Sequence, residues 1–160
     1  MEMHAISLWQ PYASLIAIGA KPYETRHWSP PPNLIGKRIA IHAAARKPTQ
    51  AELDDMQFDV EEAFGFCHWH LRIPYGAVVC TATLDAAFQL GERAENTNWS
   101  AARVVKRMTT RVMPECFTVR YDNFGDYSPG RWAWLLKNIE PLKEPVPAKG
   151  KQGWWKWETS

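Results

Sequence analysis

The sequence predicts one domain, residues 1–160, of mixed α/β class: a small β-barrel of five to six strands with two to three helices. A length of 160 residues is typical of a single domain. Short runs of alternating apolar and polar residues recur along the chain, separated by turns rich in Gly and Pro. Two other segments have apolar residues at helical spacing. Small mixed barrels combine these features.

The first part of the chain predicts strand, helix, strand, strand. Residues 3–8 form the first strand, and residues 11–18 form a helix that Pro11 opens and Gly19 ends. Residues 21–28 and 36–43 follow as two more strands. Three prolines at positions 30–32 separate them, because proline has no N–H group to donate to a sheet.

A second helix is predicted after Thr49. Thr49 and Glu52 have the spacing of a capping box, in which the two residues satisfy each other's backbone N–H groups. Apolar residues then recur at every third or fourth position as far as Phe64. The opposite face of this helix is acidic and would repel phosphate, so we exclude it from any nucleic-acid surface.

The second half of the chain predicts three further strands. The longest begins at residues 75–76 and continues past a bend at residues 88–90; the others are residues 131–139 and 154–158. Prolines 141, 145 and 147 predict an extended connection before the last strand. Residues 91–124 are the least clear, and residues 98–100 predict the cap of a short helix that reaches position 107 or 108.

Composition limits the possible functions. A net charge of +2 is too small to predict nucleic-acid binding without local clustering. Most of the nine tryptophans are expected in the core, although an indole can also stack on a base. The three cysteines contain no Cys-x-x-Cys pair, which favours a reducing, cytoplasmic location. Neither a membrane span nor a signal peptide is predicted, because the longest N-terminal apolar run has only eight residues, 13–20.

No metal and no cofactor are predicted. Cys67 and His68–His70 resemble the beginning of a metal site, but a second ligand pair at zinc-finger spacing does not follow. We interpret this stretch as a helix end with histidines at the surface.

Residues 21–28 place charged side chains unusually close together. Lys21 lies in the turn, and alternation along a strand puts Glu24, Arg26 and Trp28 on one face. Such a run is either an edge strand with solvated charges or the wall of a binding cleft. The residues alone leave both interpretations open.

The same stretch resembles a known family. Gly19-x-Lys21-x-x-Glu24-x-Arg26, preceded by Leu-Trp-Gln-Pro-Tyr-Ala at residues 8–13, resembles the signature of ASCH domains, the activating-signal-cointegrator homology domains of the PUA-like superfamily. Further matches follow in the family's order at residues 39–44, 125–134 and 150–155. The resemblance implies a PUA-like barrel, with a cleft between its first helix and the barrel wall.

We expect three stretches of the chain to converge at this cleft and to bind a nucleobase or nucleotide. Lys21 and Arg26 can hold phosphate or an acceptor edge of a base, and Glu24 can accept from an exocyclic amine. Tryptophan at position 9, 28 or 132 can provide a stacking face. The predicted binding residues are Trp9, Gln10, Lys21, Glu24, Arg26, Trp28, His42, Arg46, Ser128 and Arg131.

A second basic feature lies between Asn96 and Pro114, where there are four basic residues and no acidic one. On the predicted helix, Arg103, Lys106 and Arg107 fall on one side and would contact phosphate. A solvated insertion is an equally good interpretation of the same residues.

Three functions stay open. The first is a module that binds RNA, another single-stranded nucleic acid, or a single base. The second is a hydrolase: some small ASCH proteins remove an acyl group from N4-acylated cytidine with a lysine, a threonine and a glutamate, and others have been proposed as ribonucleases. Here Lys21 fills the lysine position, but Glu24 occupies the threonine position. Lys21 and Glu24 are therefore the candidate acid–base pair for a modified nucleoside or RNA.

The third function is a coregulator-type protein-interaction domain. It requires an exposed apolar patch, for which Trp154, Trp155 and Trp157 are the candidates. The sequence does not predict an oligomeric state.

Overall fold

A computed structural model describes residues 1–95 and 98–159; Asn96, where the predicted basic segment starts, lies outside them. The described chain forms two α-helices, α1 (Tyr12–Ala17) and α2 (Gln50–Phe64), and single 3-10 turns at Pro32–Leu34 and Trp69–Leu71. Its strands are β1 (Glu2–Leu8), β2 (Tyr23–Arg26), β3 (Arg38–Ala43), β4 (Ala77–Arg93), β5 (Ala101–Thr109), β6 (Thr118–Arg120), β7 (Trp132–Pro147) and β8 (Trp154–Glu158).

The strands form one mixed sheet with the hydrogen-bonded order β2-β7-β4-β3-β1-β8; β5 also pairs with β4, and β6 pairs with β5. The mixed α/β class is confirmed. The prediction of a barrel with five to six strands is wrong for the described chain, which has eight strands in a sheet that is not closed. Two additional strands lie in residues 101–120, and the three prolines of the expected connection lie inside β7.

The chain divides into two compact units. The first comprises Met1–Lys21, Arg38–Ala82 and the chain from Asn138 onward, and the second comprises Pro22–Lys37 and Thr83–Lys137. Strands β4 and β7 contribute residues to both units. The single domain stays a prediction.

In the first unit, β1 pairs in parallel with β3 and antiparallel with β8. The predicted bounds of β8 are confirmed. Trp155 and Trp157 are buried in a core with Ala5, Ala40 and Val78. This corrects the expectation of an exposed tryptophan patch at residues 154–157, because β8 directs two of its three indoles into the core.

Both helices belong to the first unit. The capping box of α2 is confirmed: Thr49 Oγ1 accepts from the Glu52 N–H at 3.2 Å, and Glu52 Oε1 accepts from the Thr49 N–H at 3.2 Å. Pro11 lies just before the first residue of α1, not inside the helix as predicted. Gly19 follows α1 with φ +83°, a conformation in which a side chain would be strained, so it ends the helix as expected.

In the second unit, β2 pairs antiparallel with β7, and β5 pairs with β4 and β6. Its core contains Tyr23, Phe88, Leu90, Tyr127 and Leu135, together with smaller residues of β5, β6 and β7. The helix predicted from residue 98 to 107 or 108 is wrong, because Ala101–Thr109 is a strand. Pairing with β4 and β6 on both sides prevails over the local capping signal.

Within the part of the chain that the structure describes, no helix combines the length and the apolar character needed to cross a membrane.

The described residues also contain no group of three or more His, Cys, Asp or Glu side chains placed to hold a metal ion. Cys80 lies in the core, and burial raises the pKa of its thiol to about 12. Cys67 and Cys116 are exposed.

Candidate nucleic-acid interface

Strand β2 lies at one end of the strand order, yet its carboxylate is buried. Only 7% of Glu24 is exposed. Glu24 Oε1 accepts from the Thr25 N–H at 2.9 Å, and Glu24 Oε2 lies 3.5 Å from Arg26 Nη2. The interpretation of β2 as an edge strand with fully solvated charges is therefore wrong for Glu24.

The face of β2 that carries Glu24 combines one guanidinium with two indoles. Glu24 and Arg26 pair with Trp134 and Trp132 of β7, so these four residues share a face, while Tyr23 and Thr25 face the other way. Arg26 Cζ lies 5.7 Å from the Trp28 ring centroid and 6.0 Å from that of Trp134. The predicted grouping of Glu24, Arg26 and Trp28 is confirmed.

Trp134 is the residue of this face that the sequence analysis did not select. It is fully buried, and its ring centroid lies 5.0 Å from that of Trp28 in an edge-to-face arrangement. The alternation in residues 131–136 places Trp134 on the same face as Trp132, which was the available signal. Trp134 therefore packs against the Trp28 ring and lies close to the Arg26 guanidinium.

The loop at residues 125–131 is attached to β2 by Thr25. Thr25 Oγ1 accepts from the Asp126 N–H at 3.1 Å, and the Thr25 carbonyl accepts from Arg131 Nη2 at 3.1 Å. Ser128 donates through both its hydroxyl and its N–H group to Asp126 Oδ1, which lowers the pKa of Asp126. Ser128 and Arg131, both predicted binding residues, thus hold this loop beside Thr25.

In the first unit, Lys21 is buried to an unusual degree for a lysine. Only 2% of it is exposed, and its Nζ lies 5.8 Å from the centroid of the Tyr12 ring on α1. Lysine is almost never fully buried unless its charge is compensated. This burial excludes the interpretation of Lys21 as an ordinary solvated surface lysine.

Trp9 and Arg46 form an exposed stack in the first unit. Trp9 is 54% exposed, and Arg46 Cζ lies 3.8 Å from its ring centroid. Arg46 also donates two hydrogen bonds to the carboxylate of Glu52, the capping residue of α2. That pair lowers the pKa of Glu52 to about 2. The contact fixes the Arg46 guanidinium against the indole.

Two predicted binding residues have structural contacts instead. Gln10 is buried; its Oε1 accepts from the Ser14 N–H at 3.0 Å, and its Nε2 donates to the Pro74 carbonyl at 2.7 Å. His42 is also buried, with both ring nitrogens engaged. We therefore do not assign Gln10 or His42 to ligand contact.

The His42 contacts define a polar network that the sequence analysis missed. His42 Nε2 lies 2.7 Å from the Ala148 carbonyl, which can only accept, so the proton is assigned to Nε2. Nδ1 is then an acceptor for the Ser7 hydroxyl at 2.9 Å. Ser7 Oγ accepts in turn from Trp155 Nε1 at 3.1 Å. The network joins β1, β3, β8 and residue 148.

This network predicts a dependence of stability on pH. Burial lowers the pKa of His42 below its usual 6.5. Since the folded protein binds this proton less readily than the unfolded chain, the contribution is complete above about pH 6.5 and decreases as the pH falls through the lowered pKa. We expect the free energy of unfolding, measured with urea from pH 7.5 to 5, to fall by up to about 1.4 kcal/mol per pH unit.

His42→Gln should flatten that slope, because the other four histidines stay in both proteins. The carboxyl groups of Glu52 and Asp126 have lowered pKa values, so their protonation changes the free energy of unfolding only below this pH window. Equal slopes in the two proteins would contradict the assignment.

A cavity of about 320 Å³ is lined by residues of α2 and of the 3-10 turn after it, including Glu61, His68, Trp69 and His70. His68 is exposed, in agreement with the interpretation of this stretch as a helix end with surface histidines. The neighbouring face of α2 is acidic, so this cavity is unsuited to phosphate.

The basic residues of β5 do not share one face as they would on a helix. Arg103, Lys106 and Arg107 are all exposed. Arg107 lies opposite the core residue Phe88 and donates to the carbonyls of Met113 and Pro114, at 3.4 and 3.1 Å. Arg107 thus differs from the other two in its side of the strand and in its partners.

The structure thus groups Glu24, Arg26 and Trp28 in the second unit, where Ser128 and Arg131 hold the adjoining loop. In the first unit it groups Trp9 with Arg46. The convergence of all three predicted stretches stays a prediction.

The model of the ASCH domain family matches residues 6–117. No curated protein matches the chain. Among solved structures, the chain is similar to the ASCH crystal structure from Zymomonas mobilis, with 25% identity over 91% of this chain and 73% of that one, and a TM-score of 0.45. A mutant of that Zymomonas mobilis protein has 24% identity over 91% and 75%, with a TM-score of 0.43. The family match covers well over half of the sequence, and the chain belongs to the ASCH domain family.

Proposed function

We propose that this protein is a nucleic-acid-binding module that holds a base or nucleotide of RNA at Glu24, Arg26 and Trp28. Membership of the ASCH family, which is generally RNA-binding-like, supports the proposal at the level of the class of ligand. One observation carries it for this chain: the guanidinium of Arg26 lies beside a buried carboxylate and within 6.0 Å of two indole rings.

The chemistry of this face suits a nucleotide. The Arg26 side chain is 26% exposed, and a guanidinium can bind phosphate or the acceptor edge of guanine in bidentate geometry. Trp28 is partly exposed and held edge-to-face by Trp134, so its position is fixed before a base stacks on it. Glu24 is a hydrogen-bond acceptor suited to an exocyclic amine such as cytosine N4.

Lys21, Trp9 and Arg46 belong to the first unit, and we propose them as further binding residues on the basis of their own chemistry. Lys21 would supply a second cation for phosphate, and the exposed indole of Trp9 would supply a stacking face. Ser128 and Arg131 act by holding the loop beside β2, a positioning role consistent with their contacts to Asp126 and Thr25.

The test is the affinity of the protein for fluorescein-labelled single-stranded RNA, measured by anisotropy at several salt concentrations. We expect salt-sensitive binding that Arg26→Gln weakens by roughly tenfold or more, because a hydrogen bond to a charged group is worth about 1.5–3 kcal/mol. Arg72→Gln, which removes the same charge from an exposed arginine, is the matched control and should bind like the parent. Salt-insensitive binding, or equal affinities for the two variants, would overturn the proposal.

Hydrolysis of a modified nucleoside is the second candidate, favoured by the burial of both Lys21 and Glu24. The Thr25 hydroxyl accepts from the Asp126 N–H, and it lies on the strand face opposite Glu24. Incubation with N4-acetylcytidine, followed by chromatography, tests this activity. Turnover that Lys21→Ala abolishes would establish catalysis; turnover that survives Lys21→Ala, or none, would remove this candidate.

The coregulator-type function loses part of its support, since β8 buries two of the three indoles, those of Trp155 and Trp157. A cytoplasmic location and the choice of RNA over DNA stay parts of the proposal. A parallel anisotropy titration with single-stranded DNA of the same sequence decides the latter.

A further inference from the structure

The β5–β6 ribbon carries an exposed aromatic residue among cations. Trp99, which precedes β5, is 46% exposed, although burial of such a large apolar side chain is favourable. The guanidinium carbon of Arg120 lies 5.2 Å from its ring centroid. We name the surface formed by Trp99, Arg103, Lys106 and Arg120 the ribbon face.

The strand register places the cations of the ribbon face on one side. Ala101 pairs with Arg120 and Arg103 pairs with Thr118, so Arg103 and Arg120 are diagonal neighbours on the same face. The intervening pair, Ala102 and Val119, points into the core of the second unit. The ribbon face is therefore the side opposite the core.

A bulge brings Lys106 onto the same side as Arg103. Val104 pairs with Leu90, whereas Lys106 pairs with Gln89, so two steps on β5 match one step on β4. Leu90 and Val104 face the core, which puts Gln89 and Lys106 on the outer side. A regular strand would have placed Lys106 and Arg103 on opposite faces.

Gly91 fits this arrangement. A Cβ atom at position 91 would lie 2.8 Å from Val105 Cγ1, the side chain of the bulged residue. Glycine at position 91 therefore allows the bulge to lie close to β4. This bulge is what places Arg103 and Lys106 on the same side of the strand.

The charge of this region favours an anionic partner. The ribbon face itself has three cations, and Arg93 at the end of β4 donates to Ser100 Oγ at 3.3 Å, next to Trp99. Among the described residues, the acidic ones close to it in sequence are Glu92, Glu95, Glu115 and Asp122, and the Asp122 carboxylate accepts from the Phe124 N–H and the Tyr127 hydroxyl. Cations with an interleaved exposed indole are the composition of surfaces that bind single-stranded nucleic acid.

We propose that the ribbon face is a second nucleic-acid contact surface, which binds a single-stranded RNA segment. A base stacks against Trp99 and Arg120, and Arg103 and Lys106 contact phosphates. Its role rests on the proposed function, yet its residues are separate from Glu24, Arg26 and Trp28. The ribbon face thus adds affinity for longer RNA without selecting a base, since stacking and phosphate contacts tolerate any sequence.

The test compares two ligands: a mononucleotide, measured by calorimetry, and a single-stranded RNA of about 12 nucleotides, measured by anisotropy. Trp99→Ala should weaken binding of the longer RNA by about fivefold or more, and Trp99→Phe should restore most of the loss. Arg103→Gln with Lys106→Gln should lower the salt slope, d log K/d log[salt], by about 1.4 for two phosphate contacts. None of these variants should change the affinity for the mononucleotide.

The matched control is Lys143→Gln with Lys151→Gln, which removes two charges from exposed lysines of the first unit. Thermal melting checks that all variants fold.

If the ribbon variants bind the longer RNA like this control, the ribbon face is not a contact surface, while mononucleotide binding lost in Arg26→Gln still supports the proposed function. If the longer RNA depends on Trp99 and not on Arg26, the ribbon inference holds and the proposed function fails. If neither ligand binds, or an acidic peptide competes equally well, the inference fails.

Discussion

Lys21→Met is expected to weaken binding of RNA by roughly 10- to 150-fold, the factor that corresponds to the loss of one hydrogen bond to a charged group, about 1.5–3 kcal/mol. The side chain is 2% exposed, so its ammonium acts in a site from which water is largely excluded. A charge there interacts more strongly with an anionic ligand than the same charge in bulk solvent. Anisotropy with labelled single-stranded RNA measures the loss.

Two controls separate binding from folding. Lys21→Arg keeps the charge and should retain the thermal midpoint with only part of the affinity, because a planar guanidinium and an ammonium do not place their donors alike. Lys143→Met makes the same substitution at an exposed lysine and should bind like the parent. A folded Lys21→Met protein with unchanged affinity would remove Lys21 from the proposed site.

Gly150→Ala is expected to lower the free energy of unfolding by about 1–3 kcal/mol, the usual cost of forcing an extra methyl group into a packed site. A Cβ atom at this position would lie 2.6 Å from both His42 Cε1 and Ser7 Oγ. His42 cannot yield easily, since both of its ring nitrogens are hydrogen-bonded and the ring packs against Trp155. Urea denaturation at pH 7.5 measures the change.

The Ser7→Ala background tests the cause. Ser7→Ala removes one of the two atoms that the new methyl group would meet at 2.6 Å, so the two substitutions together should cost less than the sum of their separate losses. Strict additivity, or a stable Gly150→Ala protein, would show that residues 148–150 can move away from His42.

Elements with strong local signals were predictable from the sequence. The spacing of Thr49 and Glu52 located the start of α2, because a capping box depends only on residues within one turn of helix. Glu24 and Arg26 were placed on one face by the period of a strand, and their pairing opposite Trp134 and Trp132 confirms it. Both inferences need only the chain's own geometry.

Strand β5 was not predictable by the same means. Residues 98–100 resemble a helix cap, and the basic residues after them have helical spacing. The segment is a strand because its neighbours in the chain, β4 and β6, pair with it on both sides, and the spacing of residues 98–109 alone does not report this pairing. Val104 and Val105, which are β-branched, were the one local indication.

The candidate site was predictable only in part, for a similar reason. The identity of the charged residues at 21–26 was evident, but their burial depends on what packs over them. The contacts of His42 with Ser7, Ala148 and Trp155 join three distant segments, so no spacing rule could have separated this structural histidine from a ligand-binding one.

The most direct test of the central claim is photo-crosslinking. Single-stranded RNA that contains 4-thiouridine is irradiated in complex with the protein, and the crosslinked tryptic peptides are identified by mass spectrometry. The account predicts a crosslink within residues 23–28, where Glu24, Arg26 and Trp28 lie together, and its loss in Arg26→Gln. Crosslinks confined to other peptides, such as those of the acidic helix α2, or none at saturating RNA, would contradict it.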